Sequence, residues 1–150
     1  MRELGKPLQV YVVEDSAVIQ RLLASTIAAA GGELIGQSAD AESAIKALSK
    51  LKADLVLIDI ALKSGTGFDV LEALQTLDRR SMPIRVVLTN YASPEYEQLS
   101  YRMGANGFFD KDTQMSEALT LIGALVAEKR GRALAAARSA TRNKPQGPTL

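Results

Sequence analysis

The sequence predicts an α/β domain organised around a parallel sheet, and three observations predict it. Leu55, Val56, Leu57 and Ile58 form an unbroken apolar run between Asp54 and a Gly/Ser/Thr loop, the pattern of a strand buried on both faces. Runs of this kind alternate strictly with segments whose apolar residues recur at helical spacing, which implies parallel strands, right-handed crossovers and helices on both faces. The chain has 150 residues and is 47% hydrophobic, enough for one ordinary core.

Taken in order, Leu8 to Val13 predicts the first strand. Ser16 to Ala30 predicts a helix whose inward face is Ile19, Leu22, Leu23, Thr26 and Ile27, stopped by Gly31 and Gly32. Glu33 to Gln37 reads as a weaker second strand, followed by a helix from Ala41 to Leu51 with Ala41, Ala44, Ile45 and Leu48 facing inward. The central strand ends in Asp59. After a loop with Gly65 and Gly67, residues Phe68, Leu71, Leu74 and Leu77 mark the third helix. Ile84 to Leu88, ending in Thr89, is the fourth strand, and Pro94 fits the first turn of a helix that reaches Met103 and stops at Gly104. Ala105 to Phe109 makes a short fifth strand closed by Asp110, Lys111 and Asp112. Met115, Ala118, Leu119, Ile122, Leu125 and Val126 line the last helix. Five such βα units fit a flavodoxin-like (βα)5 fold, a five-stranded parallel sheet in the order 2-1-3-4-5.

Composition narrows the chemistry. The chain has no cysteine and no histidine. That removes disulfides, thiolate chemistry, a Ser-His-Asp triad and the usual zinc ligands, so a metal site must use oxygen donors and favours a hard cation such as magnesium. The first apolar run is cut short by Glu14 and Asp15, too short and too charged for a signal peptide or a membrane span, and a cytoplasmic location is expected.

In the order 2-1-3-4-5 the first and third strands are neighbours, about 4.8 Å apart. Glu14 and Asp15 then adjoin Asp59 at the carboxyl edge, where open α/β sheets bind ligands. Thr89 flanks Asp59 on its other side, and Lys111 reaches back from the next strand. Taken singly, each has an ordinary role: Asp15 or Ser16 as a helix cap, Asp59 as a turn residue, Thr89 as a strand former, Lys111 as a surface lysine. Three carboxylates, a hydroxyl and an amine brought to one rim by four strand ends are instead the convergence expected of a site.

From Leu8 to Ala127 the chain resembles the receiver domains of two-component response regulators. The likeness is carried by Glu14-Asp15, Asp59, Thr89 and Lys111, by Gly67 eight residues past Asp59, and by the run Gly104-Ala105-Asn106-Gly107-Phe108. It implies a stand-alone, chemotaxis-regulator-like receiver domain over residues 1–128 that accepts a phosphoryl group on Asp59 from a histidine kinase or phosphotransfer protein. It further implies Mg²⁺ held by Asp15, by Glu14 through water, by Asp59 and by the backbone carbonyl of Ala61, with Lys111 neutralising charge on the transferring oxygens. In the implied switch, the Thr89 hydroxyl bonds the phosphoryl group and Phe108, which otherwise reads as core packing, moves into the space left. The same likeness implies self-catalysed phosphorylation and dephosphorylation, a downstream protein target, and a transient homodimer.

Four positions depart from the family's usual pattern. Lys63 and Asp112 stand where proline is common, Asn90 where a small residue is usual, and Tyr91 beside it is placed to obstruct an attacking water, which predicts slow dephosphorylation. These departures support an alternative reading, a phosphorylation-independent receiver-fold adaptor. A phosphatase of the haloacid dehalogenase type needs an Asp-x-Asp motif after the first strand, and a nucleotide-binding enzyme needs a phosphate loop; the sequence has neither. Residues 129–150 carry six basic groups and no acid, a charge of +6, against 12 basic and 17 acidic groups, −5, in residues 1–128. Ala133 to Ala140 could prolong the last helix, but Gly131, Pro145, Gly147 and Pro148 argue for a frayed, disordered basic tail. It is too short for a helix-turn-helix domain, so DNA binding is not expected, and it reads first as a solvated end, with contact to nucleic acid, an acidic partner or a membrane surface as the alternatives.

Overall fold

In the computed structural model, which describes residues 6–142, strands and helices alternate throughout. They are β1 (Gln9–Val13), α1 (Ala17–Ala30), β2 (Glu33–Ser38), α2 (Ala41–Leu48), β3 (Leu55–Ile58), α3 (Gly67–Leu74), β4 (Ile84–Thr89), α4 (Pro94–Arg102), β5 (Gly107–Asp110) and α5 (Met115–Arg142). The strands form one sheet in the order β2-β1-β3-β4-β5, every pairing parallel. This is the flavodoxin-like order expected from the sequence.

Strand alternation sends side chains into two cores. Val10, Val12, Leu55, Leu57, Val86 and Leu88 meet Leu23 and Ile27 of α1 and Ala118, Ile122 and Val126 of α5. Tyr11, Val13, Val56, Ile58 and Val87 meet Ala44 and Leu48 of α2 and Val70, Leu71 and Leu74 of α3. All four residues of β3 are buried because the strand is central and both helix layers cover it. Each such aliphatic side chain contributes about 1.5–3 kcal/mol by leaving water.

Hydroxyl and carboxylate caps fix where the helices begin. Ser16 accepts the Ile19 N–H at the start of α1, Asp40 that of Ser43 at α2, and Ser93 that of Tyr96 at α4, where Pro94 follows. Thr66 and Asp69 form a reciprocal capping box on α3. Since Ser16 caps α1, the acidic pair before it is released from that duty. Gly31, at φ 95°, takes the left-handed conformation that ends α1.

Four expectations are corrected. Leu22 does not face inward but is 40% exposed. It lies about 100° round the helix from the buried Leu23. The second helix ends at Leu48 rather than Leu51, and β5 begins at Gly107 rather than Ala105, whose N–H instead bonds Ser100 at the end of α4. The predicted fraying from residue 129 does not occur: α5 passes through Gly131 and continues to Arg142. Ala133, Ala135, Ala136, Ala137 and Ala140 are the best of helix formers, and together they outweigh the roughly 1 kcal/mol penalty of one glycine. The rest of that expected tail, residues 143–150, lies outside the described residues. Among the described residues no helix is long and apolar enough to cross a membrane.

Candidate functional site

Val13 of β1 and Ile58 of β3 are register partners, so the next residue on each strand, Glu14 and Asp59, leaves the sheet at the same level. Backbone bonds hold both there: the Glu14 N–H donates to Ser38 O and the Asp59 N–H to Val13 O, each at 2.9 Å. Carboxylate oxygens of Glu14, Asp15 and Asp59 lie within 4.8 Å of one another, with Asp15 exposed and the other two buried. Lys111, at the end of β5, is anchored by its N–H to Thr89 O at 2.9 Å. Its Nζ sits 2.6 Å from Glu14 Oε1 and 2.8 Å from Asp59 Oδ2, and the three side chains are only 6%, 2% and 6% exposed. The surface-lysine reading of Lys111 does not hold.

Thr89 ends β4, fully buried, and its Oγ1 accepts the Tyr91 N–H at 3.1 Å. It shares the α2/α3 face of the sheet with Val87, two residues before it, and Phe108, the register partner of Val87, packs in the same core. Phe108 is thus a buried core side chain close to the rim. Tyr91 is 58% exposed, and Asn90 is exposed as well.

Burial pushes the Glu14 carboxyl above the usual carboxylate range; the Lys111 hydrogen bond and the Ser16 N–H pull the other way, and the nearby Asp59 charge adds to the rise. For Lys111 burial favours loss of the proton, but the hydrogen bonds and charges of Asp59 and Glu14 outweigh it and hold the ammonium above the ordinary lysine value. Three carboxylates against one ammonium leave a net negative, oxygen-only donor set, which suits a hard divalent cation.

The loops below the site are fastened by bonds that the sequence did not reveal. The Lys63 N–H donates to Ala39 O at 3.0 Å, and the Ala41 N–H to Ser64 O at 2.9 Å, stitching the β3–α3 loop to the β2–α2 loop. A proline at 63 has no N–H and would lose the first of these. The Ala61 N–H donates to Asp59 Oδ1 at 3.3 Å, and Ala61 forms an isolated bridge with Thr66. Gly67 lets α3 start against the site: a Cβ there would stand 2.4 Å from Asp59 O. After Lys111, the Asp112 N–H donates to Asp110 Oδ1 at 2.8 Å and Gln114 Oε1 accepts the Asp110 N–H at 3.0 Å, so side-chain turns pin a loop that lacks proline.

Comparison with known proteins agrees with the fold. The transcriptional regulatory protein PdtaR of Mycobacterium tuberculosis is 28% identical over 116 residues, 77% of this chain and 55% of its own length. The uncharacterized transcriptional regulatory protein YvfU of Bacillus subtilis is 27% identical over 124 residues, 82% of this chain and 61% of its own length. The chain therefore spans little more than half of these relatives. Among solved structures, the chemotaxis protein CheY4 of Vibrio cholerae superposes with a TM-score of 0.67 at 25% identity, covering 77% of this chain and 98% of that one. The receiver domain of the sensor histidine kinase PA1611 of Pseudomonas aeruginosa, with a magnesium ion coordinated in its active-site cleft, gives a TM-score of 0.68 at 17% identity over 81% and 98% of the two chains. Residues 10–123 match the model of the response regulator receiver domain, and the chain belongs to that family of two-component signalling domains.

Proposed function

We propose that residues 1–128 are a response-regulator receiver unit that accepts a phosphoryl group on Asp59 and signals by changing its protein contacts. The observation that carries the reading is the single ammonium shared by two buried carboxylates, Lys111 between Glu14 and Asp59. A carboxylate is a weak nucleophile toward an anionic phosphoryl group, so positive charge must be preorganised where the transfer occurs. An oxygen of Asp59 attacks the phosphorus, the P–N bond of a donor phosphohistidine breaks, and the donor imidazole leaves with the electron pair. Lys111, already hydrogen-bonded to Asp59, meets the charge that arrives on the phosphoryl oxygens.

Magnesium would suit the oxygen-only donor set of Glu14, Asp15 and Asp59. Asp15, Asp59 and the Ala61 carbonyl would hold it directly and Glu14 through water. When bound it supplies positive charge to the transferring oxygens. The magnesium in the cleft of the PA1611 receiver domain supports this assignment. Thr89 and Phe108 are the proposed switch: the buried hydroxyl turns to the phosphoryl group and the ring follows into the space left. The partners on this reading are a histidine kinase or phosphotransfer protein upstream and a protein target downstream in the cytoplasm, with a transient homodimer in the phosphorylated state.

The test is intact mass after incubation with Mg²⁺ and acetyl phosphate, for wild type and Asp59→Asn. One phosphoryl adduct on wild type is expected, absent from the variant and absent without Mg²⁺. No adduct under conditions that label a control receiver domain would overturn the reading in favour of a phosphorylation-independent adaptor.

A further inference from the structure

The longest helix is only half used by the fold. Among the described side chains of α5 the last buried one is Val126, yet the helix runs on to Arg142. It starts near the carboxyl edge of the sheet, just after Lys111, and by Lys129 has reached the opposite edge, where Nζ of that lysine bonds Asp54 Oδ2 at 2.8 Å and Pro7 O at 3.2 Å. The remaining 13 residues carry the helix about 20 Å farther. This projecting part holds Arg130, Arg132, Arg138 and Arg142 and no acid, while the body behind it is net acidic.

The direction of the helix decides what these arginines can meet. The rod points away from the acidic rim of its own domain, so it cannot fold back on Asp15 or Asp59 without breaking. Pairing with a second copy through the same helix would set like charges side by side. A membrane-surface helix needs a broad apolar face, and among residues 130–142 only Leu134 is apolar and larger than alanine. What remains is a polyanion that surrounds a helix. At 3.6 residues per turn positions 130, 132, 138 and 142 spread over several sides of the rod, and its alanines keep it slender. The major groove of B-form DNA, about 12 Å wide, admits an α-helix with phosphates on both walls, whereas the deep, narrow groove of A-form RNA does not. We infer that the projecting part of α5, residues 130–142, is a sequence-tolerant docking element for duplex DNA, held to the receiver body at Lys129. The inference does not depend on phosphorylation of Asp59.

The test is fluorescence anisotropy of a labelled mixed-sequence DNA duplex titrated with the full chain at several salt concentrations, beside the variant R130Q/R132Q/R138Q/R142Q. Glutamine keeps nearly the helix propensity of arginine, so circular dichroism should show the helix retained. The expected result is binding whose log–log salt slope is about −3 to −4, near −0.9 per phosphate contact, and a loss of about tenfold or more in the variant. Phosphoryl labelling of Asp59 in that variant should be unchanged, which separates this inference from the proposed receiver chemistry. Absence of salt-dependent binding, equal binding by the variant, or tighter binding to phosphatidylserine vesicles, duplex RNA or an acidic protein than to DNA would overturn it.

Discussion

The two ends of the sheet carry the same contact in different surroundings. At the carboxyl edge Lys111 meets Asp59 at 2.8 Å, and at the amino edge Lys129 meets Asp54 at the same distance. The first pair is 6% exposed on both sides and shares its ammonium with Glu14; the second is 23% and 38% exposed, and Asp54 Oδ2 also accepts the Gln9 N–H at 2.8 Å. Distance alone therefore says little about what an ion pair does. At the carboxyl edge one cation holds together two buried anions that would otherwise repel, an arrangement that is poor for stability and useful for receiving an anionic group. At the amino edge a wet pair fastens a helix to the end of a sheet.

Removing Lys111 should expose that difference most strongly. Lys111→Met leaves Glu14 and Asp59 buried without their cation, with only the Ser16 and Ala61 N–H groups to compensate. The expected loss is about 3–5 kcal/mol in urea unfolding without divalent cation, recovered in part by added Mg²⁺. Because burial raises the Glu14 pKa, the folded state takes up a proton there more readily than the unfolded chain. Acidification therefore favours the fold at this group, and the gap between variant and wild type should narrow as pH falls toward the carboxylate range. A loss below about 1 kcal/mol, the worth of a surface pair, would show that the carboxyl-edge pair is no different from its counterpart.

Gly67→Ala tests the same edge by shape instead of charge. The added methyl would meet the Asp59 carbonyl oxygen at 2.4 Å and its carbonyl carbon and Ile58 Cγ2 at 3.0 Å. Alanine is favoured over glycine in a helix by about 1 kcal/mol, but Gly67 opens α3, where propensity counts least, and the obstructing atoms are backbone. The clash should win, with about 1–3 kcal/mol lost and the Asp59 loop displaced. Phosphoryl labelling should slow by about 10²-fold if that shift approaches 1 Å. Labelling at the wild-type rate would mean that the close approach of α3 does not position Asp59.

The fold and the rim were largely legible in the sequence because the same apolar runs that define the strands also fix which residues follow them. Asp59 follows the unbroken run of β3, Glu14 follows β1, and parallel register then sets them side by side. Less legible was whatever depends on backbone partners or steric room. The Lys63 N–H bond, the Gln114 cap and the space denied to a Cβ at Gly67 leave no periodic trace. Choosing between Asp15 and Ser16 as the cap of α1 likewise needed the chain's direction at that turn. The continuation of α5 is hard to read because Gly131 is a stop signal on its own, whereas the alanines around it sum to a stronger preference.

The smallest effect belongs to the amino edge. Lys129→Met removes the ammonium from Asp54, but that carboxylate keeps the Gln9 N–H and meets water, so no buried anion is left stranded. The loss in stability should be at most about 1 kcal/mol and should shrink as salt is raised, since a pair this exposed is screened. Its structural consequence should be local: hydrogen exchange should quicken in α5 beyond Val126, where none of the described side chains is buried, while the amides of β3 and β4 keep their protection. A loss as large as that of Lys111→Met, or exchange that quickens through the central strands, would mean that the amino-edge pair supports the core and that the contrast between the two edges is one of exposure alone.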